Sequence, residues 1–218
     1  MAYTFNGTNQ YLRELESTNA IVSGWPMTLF CRVKSSNLTT TQFAACYIYT
    51  NSPYSAVSLI CNGPAVGDPL VLSRFGASNS VSSESYASGA WRNVAGRISS
   101  NTVSSITVDN TIDAGPSTSV AFANASAMMV GARLQPGFDG GLTGSVAAVA
   151  MWSAALDDAE VASLVAGFSP RRVRPQSLRW YAPLVRELVV PSRYVSPTTA
   201  LANVNAATVS DHPRSYGM

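Results

Sequence analysis

The residues able to do chemistry in this chain are thinly spread, and their spacing decides what they can do. Hydrolysis of a glycosidic bond needs two carboxyl groups facing each other across the substrate. Glu14 and Glu16 occupy alternate positions and would share one face of a strand. Arg13 stands beside them and no third acid follows, so the pair reads as a solvated strand end. Asp157, Asp158 and Glu160 open a helix-like segment, where carboxylates cap free N–H groups. His212 is the only histidine and sits in a Pro-flanked stretch, which leaves no imidazole for a Ser-His-Asp or Cys-His arrangement or a multi-His metal site. No catalytic, cofactor-binding or metal residue is assigned, and the chain is read as a non-enzyme.

The other candidates are read in the same way. Cys31, Cys46 and Cys61 each lie in strand-like sequence and read as small buried hydrophobes, since three thiols cannot close a disulfide set. Asp68, Asp109 and Asp139 are loop acids without an Asp-x-Asp cluster to hold calcium. The glycine-rich run 137–141 lacks the Lys-Ser/Thr partner of a phosphate loop. Asn6, Asn37 and Asn124 begin glycosylation sequons that read as chance, because no secretion signal is visible ahead of them.

Two surfaces remain. Phe43, Tyr47 and Tyr49 would share one face of a strand, with Tyr54 in the loop beyond. Tyr47, Tyr49 and Tyr54 form the candidate glycan face, because aromatic rings stack on sugars; core packing is the competing reading. The second is basic: of 14 Lys and Arg residues only Lys34 is lysine, and six arginines fall between 171 and 193. Arg171, Arg172, Arg174, Arg186, Leu188, Val190, Arg193 and Tyr194 combine rim arginines with aliphatic and Tyr anchors, a composition suited to docking.

The elements that must position these residues follow from pattern. With 218 residues, 46% hydrophobic and 12% charged, the chain has material for one sizeable core, and its net charge of +2 argues for neither a nucleic-acid nor a membrane partner. No run approaches the ~18–20 apolar residues of a membrane span. The N-terminus enters strand-like sequence at once, which predicts synthesis in a cytoplasm without a signal peptide.

Strand-like runs are predicted over 3–14, 27–34, 43–49, 56–61, 70–75, 91–98, 105–108, 119–122, 127–134, 142–152 and 178–184, with turn chemistry between them and a tight hairpin at Asp109-Asn110. Residues 146–152 are apolar on both faces and need a second cover. The spacing supplies one, a helix over 157–166. Asp157 and Glu160 form its capping box, Val161, Leu164, Val165 and Phe168 its apolar stripe, and Gly167 its stop. From 185 to 218 the sequence reads as an extended arm with at most a short strand near Thr208, following a domain over 1–184. The fold class is all-β: a two-sheet antiparallel jelly-roll sandwich with one short helix.

Residues 91–183 resemble the second half of a laminin G-like, concanavalin A-like jelly roll. The resemblance rests on Trp91-Arg92-Asn93-Val94-Ala95, Ser105 to Asn110, Met129-Val130-Gly131-Ala132, Gly144 to Trp152, the capped helix, and Gly167-Phe168-Ser169-Pro170, in that order. Phe5-Asn6-Gly7-Thr8-Asn9-Gln10-Tyr11-Leu12 is similar to the family's opening strand. The resemblance implies that Trp25, Trp91 and Trp152 are core residues. Laminarinase-type relatives carry Glu-x-Asp-x-x-Glu on one strand, which this chain lacks. The C-terminal part, Pro170-Arg171-Arg172-Val173-Arg174-Pro175 through Ala207 to Arg214, resembles a branch encoded by tailed bacteriophages.

That implies a non-enzymatic virion component, of capsid or tail, without cofactor and attached through its C-terminal region. Other virion proteins and further copies of itself are then its partners. The alternative is a carbohydrate-binding module or adhesin for a cell-surface glycan.

Overall fold

A computed structural model describes residues 2–14, 21–49, 55–74, 78–119, 127–134, 138–184, 192–193, 202–204 and 207–210. In chain order the first strands are β1 (Ala2–Asn6), β2 (Tyr11–Arg13), β3 (Met27–Ser35), β4 (Thr41–Tyr49), β5 (Ser55–Asn62), β6 (Pro69–Arg74) and β7 (Ser78–Ser85). Next come β8 (Arg92–Ile98), β9 (Ser104–Val108), β10 (Thr111–Ala114), β11 (Ala127–Val130), β12 (Arg133–Leu134), β13 (Phe138–Asp139) and β14 (Thr143–Trp152). The helix α1 (Asp158–Val165) and two single 3-10 turns precede β15 (Leu178–Ala182), β16 (Ser192–Arg193), β17 (Ala202–Val204) and β18 (Thr208–Ser210).

These strands build two antiparallel sheets and a separate β12–β13 hairpin. One runs β10-β9-β8-β3-β14-β1-β18, with β15 and then β16 continuing from the far half of β14; the other runs β17-β2-β11-β4-β5-β6-β7. Alternation along the strands sends one set of side chains between the sheets. Tyr3, Phe5, Leu29, Cys31, Val33, Val146, Val149 and Met151 meet Leu12, Tyr47, Leu59, Cys61, Leu72 and Val130 in one continuous core.

The strand β14 is buried on both sides. Its outer residues Ala150 and Trp152 pack with Phe30, Ala95, Leu178 and the helix residues Val161 and Leu164, all at most 2% exposed. The capping box forms as expected: the Glu160 N–H donates to Asp157 Oδ1 at 2.9 Å, and the Asp157 N–H donates to Glu160 Oε2 at 2.8 Å. Gly167 ends the helix at φ 96°. Arg97 on β8 holds the helix start from the sheet through Asp158 and the Leu156 carbonyl. Phe168 departs from the expected stripe, since it lies past the helix and is exposed.

Two bulges correct the predicted alternation. Ala44 is skipped in the pairing of β4 with β5, and Ala147 in the pairing of β14 with β3. Each extra residue reverses which face its successors occupy. Phe43 therefore lies on the outer side with Ile60 and Val71, while Tyr47 turns inward; Val146 faces the core and Ala150 does not. At the hairpin, Asp109 alone takes positive φ, at 51°.

Two serine- and threonine-bearing strands were not expected. The edge strands β7 and β10 meet through polar contacts: the Ser83 N–H and Oγ both donate to Asp113 Oδ2, and Thr111 Oγ1 donates to Glu84 Oε1. In the C-terminal region the short strand expected near Thr208 forms, and a second one, β17, was not expected. Residues 202–204 pair with β2 and residues 208–210 with β1, so each adds a short strand to the edge of a sheet. Residues 120–122, expected to be strand, lie outside the described residues.

Truncating Leu164 to Ala removes a side chain with no exposure from beneath this lid. Urea melts of Leu164→Ala should show a loss of about 2–4 kcal/mol. A loss under about half a kcal/mol would contradict the role of the helix as a cover.

Candidate functional site

Two open grooves lie at opposite ends of the central β3–β14 pair, on a strand of ten residues that spans roughly 33 Å at ~3.3 Å per residue. The first is lined by Thr4, Lys34, Ser35, Ser36, Trp91, Gly144 and Ser145 and encloses about 310 Å³. Thr4, Lys34 and Ser145 are brought together by pairing: Ser145 lies opposite Lys34 on one side and Thr4 on the other. The Thr4 and Ser145 hydroxyls are 2.9 Å apart.

The floor of this groove is fixed from the opposite sheet. The buried Gln42 of β4 accepts the Thr143 N–H at 2.7 Å and the Ser35 hydroxyl at 3.2 Å, and its amide donates to the Asn37 carbonyl at 2.9 Å. Gly144 is required by close approach: a Cβ there would stand 2.2 Å from the Lys34 carbonyl oxygen. Trp91, placed just ahead of β8, is half-buried against the groove. Among the described residues neither the Lys34 ammonium nor the Trp91 indole N–H has a hydrogen-bond partner.

The second groove, of about 550 Å³, is lined by Ile21, Val22, Ser23, Gly24, Trp25, Pro26, Ser153 and Arg179. Its position depends on Tyr47. The phenol donates to the Val22 carbonyl at 2.9 Å and accepts the Val22 N–H at 2.8 Å, which pins residues 21–26 against the core. Arg179 reaches the groove through a third bulge. Trp180 pairs with Met151 and Leu178 with Trp152, which leaves Arg179 as the extra residue.

The sequence-predicted sites are redistributed accordingly. Tyr47 is fully buried, so it is corrected from glycan platform to internal post. Tyr49 lies in β4 without a described side chain, and Tyr54 lies outside the described residues. Phe43 is covered: Arg133 stacks 4.4 Å from its ring centroid, and a Cβ at Gly140 would come within 2.3 Å of the ring. Trp152 is core, as expected, whereas Trp25 and Trp91 are half-buried and line grooves.

Of the docking patch, Arg171 and Arg172 are exposed, and Arg171 lies 5.7 Å from the Tyr181 ring centroid. Arg174 is corrected to an internal clamp. Its Nε donates to Glu160 Oε1 at 2.7 Å, a terminal nitrogen meets Glu160 Oε2 at 2.6 Å, and another bonds the Ala155 carbonyl at 3.1 Å. For Arg193 only the backbone, in β16, is described. Arg186, Leu188, Val190 and Tyr194 lie outside the described residues, as do Glu16 and His212.

Glu14 overturns its expected solvation. It is 1% exposed and accepts the Trp180 indole N–H at 2.9 Å, a bond joining the two sheets through the core. Asp109 is held by Arg92 Nη1 at 2.9 Å and by the Asn93 backbone and side-chain N–H groups at 2.9 and 3.2 Å; Asp139 pairs with Arg133. Burial pushes the Cys46 and Cys61 thiols up to about 12, and Cys31 rises as well.

No known protein family matches this chain, and no curated protein does. Solved structures do. A candidate carbohydrate-binding protein from Bacteroides ovatus superposes with a TM-score of 0.63 over 95% of this chain at 13% identity. The chain spans 58% of that protein's length. The native heptameric SAP-like pentraxin of Limulus polyphemus gives 0.55 at 12% identity, over 92% of this chain and 94% of its own. This chain has the two-sheet jelly-roll sandwich fold. The sialidase of Trypanosoma rangeli shares the sandwich over 65% of the chain and 22% of its own length, at 16% identity and a TM-score of 0.52.

Tyr47→Phe keeps the ring and strips both bonds from the buried Val22 backbone. It should cost about 1–3 kcal/mol in chemical denaturation. An unchanged midpoint would show that residues 21–26 do not depend on that hydroxyl. At pH 8 a disulfide reagent should label none of the three cysteines until denaturant is added. Rapid labelling of Cys46 or Cys61 in the native protein would contradict their burial.

Proposed function

We propose that this chain is a non-catalytic carbohydrate-binding sandwich that takes a sugar unit in the Trp91 groove. One observation carries the reading. A half-buried indole with an open N–H stands beside a lysine ammonium and a pair of hydroxyls, in a groove of monosaccharide scale. Sugar rings present an apolar C–H face that stacks on an aromatic side chain and hydroxyls that exchange hydrogen bonds with short polar groups. The fold shared with the Bacteroides ovatus protein supports the same reading.

The places of the described acids support the non-catalytic reading. Retaining hydrolysis needs two carboxyl groups ~5–5.5 Å apart on an open cleft. Glu14 is committed to the core, Asp157 and Glu160 to the helix cap, and Asp109 and Asp139 to arginine. None of these carboxylates lines either groove.

A second reading concerns where such a module is carried. We infer a bacteriophage virion component, capsid- or tail-associated, with further copies of itself as neighbours. Its support is the exposed pair Arg171 and Arg172, with Arg171 over the Tyr181 ring, a pairing of cation and ring suited to protein contacts. Arg171→Glu with Arg172→Glu should lower occupancy on purified particles; full occupancy would remove that support.

On a glycan array the wild-type protein should give saturable binding, and Trp91→Ala should reduce it at least tenfold with an unchanged thermal midpoint. No reducing sugar should appear on prolonged incubation with the bound glycan. Binding unaffected by Trp91→Ala would sink this assignment of the groove, and release of product would sink the non-catalytic reading.

A further inference from the structure

The groove at the other end of β14 has different chemistry. Among the described residues of its lining Arg179 is the only charged one, and none is a carboxylate. The Arg179 Nε donates to Ser153 Oγ at 2.8 Å, and Ser153 Oγ in turn donates to the Ser177 carbonyl at 3.4 Å. The Ser153 N–H bonds the same carbonyl at 2.9 Å, so the serine is held from its backbone and from its side chain.

That relay uses the Nε edge of the guanidinium and fixes its plane. Among the described residues the two terminal nitrogens have no partner. A planar fork held at one edge and open at the other matches the two oxygens of a carboxylate. A bulge positions it, and bulges recur where a side chain must be re-aimed. The facing wall is the ring of Trp25 with the exposed Ser23 and Pro26, on the segment that Tyr47 pins.

We propose that this groove binds a carboxylated sugar, with the carboxylate on the Arg179 fork, the ring against Trp25, and hydroxyls toward Ser23 and Ser153. A peptide C-terminus would also offer a carboxylate. The sugar is favoured because the described lining sets the flat ring of Trp25 beside the hydroxyls of Ser23 and Ser153, which suits the C–H face and hydroxyls of a sugar. The proposal is independent of the Trp91 groove, since the two sites share no residue.

The test is calorimetric titration of the full chain with glucuronate, N-acetylneuraminate, glucose, the methyl ester of glucuronate, and a tripeptide with a free C-terminus. One of the two acids should bind saturably, and which one names the sugar. Glucose should bind at least tenfold more weakly here, and the ester comparison needs no variant. Arg179→Gln should reduce acid binding at least tenfold, while array binding through Trp91 and the thermal midpoint stay unchanged. Arg179→Lys should recover only part of it, because a point charge cannot reproduce the fork. Equal affinity for acid and ester, tighter binding of the tripeptide, no binding of either acid, or full affinity in Arg179→Gln would each overturn the proposal.

Discussion

The strand β14 is apolar on both faces and cannot remain open to water on either. Burying a Val, Met or Trp side chain is worth roughly 1.5–3 kcal/mol, so a strand of this composition demands two covers. One is the second sheet, which receives Val146, Val149 and Met151. The other is the eight-residue helix, whose Val161 and Leu164 cover Ala150 and Trp152. The helix is too short to be stable alone, and its capping box, Arg97 and Arg174 hold it on the sheet. The two grooves lie beyond the ends of this doubly covered region, where β14 emerges from its packing and polar residues take over.

Local signals in the sequence were legible. The capping box spans four residues and Gly167 follows seven residues later, so the helix could be placed from its own residues. The two-sided burial of 146–152 was equally visible, because it depends on composition along one strand. Parity across a bulge was not. Nothing around Ala44 marks the extra residue, and a shift of one position puts Phe43 and Tyr47 on opposite faces of the sheet. The strands β7 and β10 were hidden for another reason: they are Ser- and Thr-bearing edges that satisfy each other through side-chain hydrogen bonds.

The grooves were illegible because their parts meet only in space. Glu14 and Trp180 are 166 residues apart, and a lone acid after a basic residue looks solvated until that partner is known. Trp91, Lys34, Thr4 and Ser145 come from four separate strands or strand ends. Tyr47, singled out for stacking, instead supplies framework: it holds the segment that carries Trp25. The ring expected to touch a ligand thus sits one layer behind a ring that does line a groove.

The four tryptophans divide cleanly between these roles and can report on them together. Trp152 donates to the Val173 carbonyl at 2.8 Å and Trp180 to Glu14 at 2.9 Å, both in the core, while Trp25 and Trp91 line the grooves. The most direct measurement is therefore an indole N–H spectrum of the protein labelled with nitrogen-15 at tryptophan, recorded during titration with a glycan recovered from the array. The account predicts that the Trp91 resonance shifts progressively to saturation while those of Trp152 and Trp180 stay fixed. Saturable binding that leaves Trp91 unmoved, or that moves the two buried indoles instead, would contradict it.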